Sequence, residues 1–288
     1  MKITFKDNMD NTSSIKKSPK KKQVSKVEQE KKISYLSKIN MHKKDKDIFL
    51  NEKNHVYDVN GNKKITSVTK WVHSHFEQFN PDKVIDKMMS SEKWPGNKYF
   101  GKTKDEIKKE WKYSGIEAAK QGTKLHYDIE CYYNQEKINK HPENKSLEYS
   151  YFKNFAEANS GLVPYRTEMK IYNKELQLAG SIDMIFKNDD NTYSIYDWKR
   201  CKDITERSFG GKSSHTKCIE HIPDSNFWHY TLQLNTYKNI LELDYDMMIK
   251  DMYLVCLHPN KSNYEVIKVP NLKTELDSLF NLRKSLLV

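Results

Sequence analysis

The stretch LAGSIDMIFKNDDNTYSIYDWKR, residues 178–200, decides the fold. Two runs rich in isoleucine and aromatic residues flank a polar turn, which predicts two strands joined by a short connection. Each run carries one carboxylate, Asp183 or Asp197, and Lys199 follows the second. Because side chains alternate along a strand, Asp197 and Lys199 share one face and Trp198 takes the other. The two acids interrupt apolar strands, so they need a cation or another partner.

Two carboxylates and an amine at the end of a hairpin are suited to hold Mg²⁺ or Mn²⁺ and to activate a water at a phosphodiester. The alternative is a surface hairpin whose charges are solvated, since an Asp-x-Lys spacing is common in a lysine-rich chain. Gly180 on the first strand suits a bulge or the close approach of another group. The elements before and after the hairpin decide between these interpretations.

The positive charge of the chain is concentrated at its N-terminus. Residues 1–47 carry 14 lysines and six acidic residues, in a chain of 288 residues with a net charge of +11. This segment is poor in aromatic residues, so we expect a disordered, lysine-rich tail with order beginning near residue 48. Its run KKSPKKK, residues 16–22, fits a nuclear-import signal, a loose phosphate-binding arm or a solubilising tail.

Cysteine usage and hydropathy bound the cellular context. The four cysteines form no C-x-x-C pair, which is typical of reduced thiols. No apolar run reaches the ~18 residues of a membrane span, and the N-terminal residues contain no apolar signal-peptide core. We therefore expect an intracellular protein without a membrane partner, in the nucleus, a viral factory or the cytoplasm.

Residues 48–104 predict an N-terminal extension to the main domain. An alternating run at residues 55–59, the turn signal Asn60-Gly61 and the returning residues 64–66 predict a hairpin. Ser67 is then placed to cap a helix. Four aromatic residues of this extension could either stack nucleic-acid bases or fill a core: Trp71, Phe76, Trp94 and Tyr99.

Residues 105–288 predict the core of the main domain, with a long helix, a second helix, three strands, a third helix, two strands and a closing helix. Residues 201–224 form a long irregular connection. A zinc site made of Cys201, His215, Cys218 and His221 is an alternative that their spacing does not favour. Polar residues stand on successive predicted elements in this order: Gly122-x-x-x-His126, Glu168, Gly180-Ser181-Ile182-Asp183, Asp197-Trp198-Lys199 and Gln233-x-x-x-Tyr237.

This ordered set resembles the PD-(D/E)XK nuclease superfamily, in its RecB-like branch. Members carry a histidine helix, a glutamate strand, a G-x-I-D strand, a D/E-x-K strand and a Q-x-x-x-Y helix, and all five match over residues 118–240. The chain is most similar to the mitochondrial genome maintenance exonucleases and related viral proteins. The resemblance implies an α/β fold with a restriction-endonuclease-like core, in which helices flank a central mixed sheet and an N-terminal hairpin and helix extend it.

The resemblance also implies roles for individual residues. His126, Asp183, Asp197 and the main-chain carbonyl of Trp198 would hold one or two Mg²⁺ or Mn²⁺ ions, and a histidine ligand favours Mn²⁺. Lys199 would orient or deprotonate the attacking water. The expected catalytic residues are Lys199, Asp183, Asp197, Glu168, Gln233 and Tyr237, and the expected substrate-binding residues are Gln233, Tyr237, Ser181 and Arg200.

The function implied by the resemblance is a metal-dependent deoxyribonuclease. We expect an exonuclease on single-stranded DNA or DNA ends, in replication, repair or recombination. A structure-specific endonuclease of the same fold and a non-catalytic nucleic-acid-binding subunit are the alternatives. The sequence has one G-x-x-x-x-G-K-[ST] match, residues 96–103, but no predicted strand precedes it, so it does not indicate a nucleotide-binding loop. We therefore expect a partner helicase to supply unwinding. The cysteines lack the spacing found in relatives with an iron–sulfur cluster, so no cluster is expected.

Overall fold

A six-stranded mixed sheet forms the centre of the computed structural model, which describes residues 34–134 and 144–287. Its strands are β3 (Thr66–Ser67), β4 (Val163–Asn173), β5 (Leu178–Lys187), β6 (Tyr193–Lys199), β7 (Ile249–Cys256) and β8 (Glu265–Lys268). Strands β4, β5 and β6 are antiparallel neighbours. Strand β7 is parallel to β6, and the short β3 is parallel to β5. Strand β5 therefore lies at the centre of the pairing.

Helices cover both faces of the sheet. They are α1 (Tyr35–Ile39), α2 (Val68–His73), α3 (Pro81–Met89), α4 (Lys104–Tyr133), α5 (Leu147–Ala158), α6 (Asn226–Asp244) and α7 (Lys273–Leu287). One apolar cluster joins α2, α6 and α7 to the sheet. A second cluster joins α4 and α5 to the opposite face, where Trp198 packs against Phe152 and Phe155. The predicted α/β fold with a mixed central sheet flanked by helices is confirmed.

The N-terminal hairpin differs from its prediction. The turn Asn60-Gly61 forms, with positive φ at both residues, and Val59 and Asn62 exchange two backbone hydrogen bonds across it. Pairing stops after this single bridge. Strand β2 (Val56–Val59) instead pairs with β1 (Ile48–Asn51), which precedes it in the chain. Residues 66 and 67 are thereby free to join the main sheet as β3, and Ser67 caps α2 as predicted.

Residues 34–47 are folded, so the prediction of a disordered tail up to residue 47 is wrong for this part. Leu36 on α1 is buried, and its N–H donates to Asn134 at the end of α4. Arg166 on β4 forms a 2.8 Å ion pair with Asp45. These contacts offset the unfavourable composition of the segment, because they bury an apolar side chain and pair a buried charge. The remainder of the predicted tail, with the run at residues 16–22, lies outside the described residues.

The aromatic residues of the extension belong to apolar clusters. Trp71 and Phe76 are buried in the cluster under α6, and Tyr99 is buried in a small cluster with Ile85 that Trp94 flanks. Their rings are thus occupied by protein contacts, which favours the core alternative over base stacking. Over the described ranges, no helix has both the length and the apolar character required to cross a membrane.

Candidate metal centre and active site

The ladder between β5 and β6 stops where the two aspartates face each other. Pairing ends at Met184 and Tyr196, so Asp183 and Asp197 occupy the next matched positions. There the N–H of Trp198 donates to the Asp183 carboxylate at 2.9 Å, in place of a backbone partner. Further along, β5 pairs with β3 instead. The interrupted ladder therefore presents the two carboxylates at one point of the sheet.

Glu168 on β4 holds the matched position on the other side of Asp183. The residues before and after Glu168 are paired with β5, whereas Glu168 itself has a φ of 45°. Few non-glycine residues adopt a positive φ, so this is a local distortion of the strand. Ser181 Oγ donates to Glu168 Oε2 at 2.9 Å. Glu168, Asp183 and Asp197 thus stand side by side on three strands, and we call them the carboxylate row.

His126 on α4 faces the carboxylate row. Its Nδ1 lies 3.5 Å from Asp183 Oδ2 and 3.9 Å from Glu168 Oε1. Its Nε2 lies 2.9 Å from the carbonyl oxygen of Trp198. Ligand atoms of His126, Glu168 and Asp183 all lie within 4.8 Å of one another, and we call these three residues the His126 cluster. Asp197, a predicted ligand, is outside this cluster.

The His126 cluster carries more negative charge than its surroundings neutralise. Burial raises the pKa of Asp183 to about 7, and the Asp197 and Glu168 carboxylates add to that rise although His126 opposes it. Burial acts to lower the pKa of His126, but Asp183 and Glu168 outweigh it and raise that pKa to about 9. The imidazolium form of His126 is therefore favoured at neutral pH, and its charge balances part of the excess.

The donor set fits a divalent cation. An imidazole nitrogen and carboxylate oxygens are ligands for Mn²⁺, and carboxylates are ligands for Mg²⁺. The raised pKa values of Asp183 and His126 show that the site has too little positive charge for its carboxylates. A bound cation would supply that charge. It would also displace the proton of His126, so metal affinity should increase with pH. Because His126 contacts the Trp198 carbonyl directly, that carbonyl is occupied in the present arrangement.

Lys199 lies beside Asp197 under α6, as strand alternation predicted. Its Nζ is 2.5 Å from Asp197 Oδ2, an oxygen that is buried and forms no hydrogen bond of regular geometry. Burial acts to lower the pKa of Lys199, but Asp197 and Asp183 outweigh it and raise the pKa above its ordinary value. The side chain is therefore an ammonium at neutral pH, suited to hold a water or a phosphate oxygen.

The Gln233-x-x-x-Tyr237 pair packs over the same end of β5. Gln233 Nε2 donates to Tyr237 Oη at 2.8 Å and lies 3.4 Å from Thr69 Oγ1 on α2. A methyl group added to Gly180 would lie 2.4 Å from Tyr237 Cε1, so the close approach predicted at this glycine is present. Burial raises the pKa of Tyr237 well above its ordinary value, which keeps the phenol neutral. The pair therefore offers neutral polar groups next to the charged ones.

Arg200 and Ser181, the other two expected substrate-binding residues, are each held by a carboxylate of the protein. Arg200 Nε forms a 2.6 Å ion pair with Glu148 on α5, on the face opposite Lys199. This ion pair holds the guanidinium in the structure, and the expected contact of Arg200 with substrate stays a prediction. Ser181 donates to Glu168 and so positions that carboxylate.

Two tyrosines near the site were not predicted. Lys199 Nζ lies 4.4 Å from the ring centre of Tyr230, one turn before Gln233, which is a cation–π contact. Tyr57 on β2 is buried, and its pKa is raised by burial and by the Glu168 and Asp183 charges. Tyr230 could have been found from the sequence, because it lies three residues before Gln233 and therefore on the same side of the helix. Tyr57 comes from the hairpin of the extension, and no local pattern connects it with the site.

The alternative zinc residues are not brought together. Across residues 34–134 and 144–287, the His126 cluster is the group of such side chains that can hold a metal. Cys201 lies near Cys256, whereas His215 contacts the Ser74 carbonyl. A cavity of about 800 Å³ lies between the C-terminal end of α2 and residues 212–215, and none of the carboxylate row lines it. Charge and donor geometry, rather than cavity volume, identify the site.

Comparisons with known proteins give no information about the site, so its geometry is the basis for interpreting it. No family model matches the sequence, and no curated protein matches it. Among solved structures, SSO0001 is similar at 13% sequence identity over 79% of this chain and 78% of that chain, with a TM-score of 0.32. A similarity this low carries no argument about fold or function.

Proposed function

We propose that the protein is a metal-dependent deoxyribonuclease that hydrolyses phosphodiester bonds, as an exonuclease on single-stranded DNA or DNA ends. The observation that carries the proposal is the carboxylate row at the end of one strand ladder, with His126 on one side and the buried Lys199 ammonium on the other. A structural ion-pair network alone would not need three acids at matched positions with one strained backbone.

Each group has a chemical task in phosphodiester hydrolysis. A divalent ion held by His126, Glu168 and Asp183 would supply Lewis acidity and a water of lowered pKa. Lys199 carries its proton at neutral pH, so it orients the water or stabilises charge on the phosphate. Tyr237 and Gln233 offer a phenol and an amide that fix the position of the scissile phosphate. The Asp197 carboxylate holds the Lys199 ammonium in place.

The choice of DNA as the proposed substrate rests on the motif resemblance. The following experiment tests the substrate separately from the metal dependence of cleavage. End-labelled linear single-stranded DNA, linear duplex and closed circular single strands are incubated with Mg²⁺, Mn²⁺ or EDTA. We expect ion-dependent degradation of linear substrates and an intact circle. Cleavage of the circle would establish an endonuclease, and no cleavage of any DNA would overturn the proposed function.

Lys199→Ala tests the mechanism within that assay. We expect cleavage to fall by at least about 100-fold, because a group that stabilises developing charge is lost, while DNA binding measured by fluorescence anisotropy changes little. Lys187→Ala, an exposed lysine at the far end of β5, is the matched control and should retain activity. Full activity of Lys199→Ala would refute the assigned role.

A further inference from the structure

Two cysteines lie directly beside the strand that carries Lys199. Cys201 follows Lys199 by two residues, and Cys256 on β7 is the paired position opposite Lys199. The two sulfur atoms are 4.0 Å apart, and Cys256 Sγ donates to the Cys201 carbonyl at 3.1 Å. The other two cysteines, Cys131 on α4 and Cys218 in the connection after β6, stand on different elements. The Cys201–Cys256 pair is thus a specific juxtaposition of thiols.

The two thiols differ in accessibility. Cys256 is fully buried in a paired strand, whereas Cys201 lies past the end of β6 and is half-buried. A small oxidant therefore meets the pair at Cys201, whereas the hydrogen bond between the two sulfurs raises the pKa of Cys201 and lowers that of Cys256, which favours the thiolate at Cys256. Whichever sulfur is oxidised, the other lies 4.0 Å away and can resolve the product. Access from one side, thiolate character and a resolving partner are the features of reversible thiol oxidation sites.

We propose that Cys201 and Cys256 form a site of reversible oxidation, which takes a hydroperoxide as oxidant and shifts Lys199 when the disulfide forms. One of the two sulfurs, as a thiolate, attacks one peroxide oxygen, which breaks the O–O bond and leaves a sulfenic acid. The released alkoxide takes up the proton that this thiol lost and leaves as an alcohol, or as water from hydrogen peroxide. The second sulfur then attacks the first: the S–S bond forms, the hydroxyl group leaves as water with the proton of the second thiol, and a dithiol restores both thiols.

The disulfide acts on Lys199 through the chain that joins them. A sulfur–sulfur bond of about 2.0 Å requires the two atoms to approach by about 2 Å from their present separation. Cys256 is held by pairing on both sides of β7, so the movement falls on Cys201 and the residues before it. Lys199 sits two residues away, with its ammonium fitted against Asp197 and Tyr230. The effect on catalysis rests on the proposed nuclease function, whereas disulfide formation does not.

The test uses the full chain treated with hydrogen peroxide. Intact mass and peptide mapping without reduction locate any disulfide, and the nuclease assay is run before oxidation, after oxidation and after dithiothreitol. We expect a Cys201–Cys256 link, a fall in activity of about tenfold or more because a catalytic group is misplaced, and recovery on reduction. Cys201→Ser should lose both responses and keep basal activity, and Cys218→Ser should keep both responses.

Two results would overturn the proposal. The first is oxidation of the protein without a Cys201–Cys256 link, and the second is a complete link that leaves cleavage unchanged. If the reduced protein cleaves no DNA under any condition, the proposed function fails, and the peptide map still decides whether this pair is the site of oxidation.

Discussion

Glu168 has the most unusual backbone conformation among the residues of the carboxylate row. It sits within a paired strand at a φ of 45°, and its carboxylate is held by Ser181 and His126. A non-glycine residue in this region costs of the order of 1–2 kcal/mol. The surrounding pairs of β4 and β5 impose that conformation, which turns a strand position into a metal-ligand candidate. The strained conformation of Glu168 is thus explained by the position that it gives the carboxylate, next to Asp183 and His126.

Glycine at position 168 should be more stable than alanine. Both Glu168→Gly and Glu168→Ala remove the carboxylate, but only glycine adopts the positive φ without strain. We expect the glycine variant to have a free energy of unfolding about 1 kcal/mol higher than the alanine variant, measured by urea denaturation. Equal stabilities would show that the backbone at this residue is not strained.

Helix α6 packs closely against strand β5 at Gly180, which has no side chain to keep the two elements apart. The Tyr237 ring is buried and leaves no room for a side chain at Gly180. The contact brings Gln233 and Tyr237 to the carboxylate row, since both stand on the face of α6 that meets this part of β5. The close packing therefore sets the distance between the neutral and the charged halves of the site.

Gly180→Ala should displace Tyr237 and destabilise the fold. Overpacking of this kind costs about 1–3 kcal/mol, which thermal or urea denaturation measures. Gly161→Ala is the matched control, because a methyl group there meets no atom within 4 Å. In a Tyr237→Leu background the cost of Gly180→Ala should shrink. A cost for Gly180→Ala equal to that of Gly161→Ala would contradict the packing described.

Hydrogen bonds to His75, which lies just after α2, hold the irregular connection that follows β6, residues 201–224. The carbonyl of His75 accepts hydrogen bonds from Ser214 and His215, and its Nδ1 lies 2.9 Å from Thr216 Oγ1. Burial, with His215 and Arg283 nearby, lowers the pKa of His75 to about 4. The folded state therefore favours the neutral ring, and the unfolded chain binds a proton more readily.

Acid should weaken this attachment in a defined window. The contribution of His75 is complete above its ordinary pKa of 6.5 and is lost as the pH falls from there to about 4. We expect the wild type to lose about 1–2 kcal/mol more than His75→Asn across this range, since each pKa unit is worth about 1.4 kcal/mol before solvent screening. Parallel stability profiles of the two proteins would argue against a buried neutral His75.

At the scale of the whole molecule, local patterns predicted most of the sheet and its helices. Alternation placed Asp197 and Lys199 on one face of β6, and helical spacing placed Gln233 beside Tyr237. These relations span a few residues, so periodicity contains them. The order of the elements then limited how they could assemble around the central sheet.

Relations between distant segments were the part that the sequence did not reveal. Arg200 is drawn to Glu148, and Tyr57 reaches the site from an N-terminal hairpin, through contacts that no local spacing encodes. The lysine-rich composition of residues 34–47 also concealed that Leu36 is anchored against α4. Tertiary burial and ion pairing outweigh composition in these cases.

In the proposed function Asp183, in the middle of the carboxylate row, holds the metal on which cleavage depends. The most direct measurement is the rate of cleavage of end-labelled single-stranded DNA as Mn²⁺ is titrated, for the wild type, Asp183→Asn and Asp190→Asn. Asp190 lies in the turn of the same hairpin, away from the row, and pairs with Lys250. We predict saturable Mn²⁺-dependent cleavage by the wild type and Asp190→Asn, and at least about 100-fold less by Asp183→Asn. Unchanged cleavage and Mn²⁺ dependence in Asp183→Asn would contradict the claim.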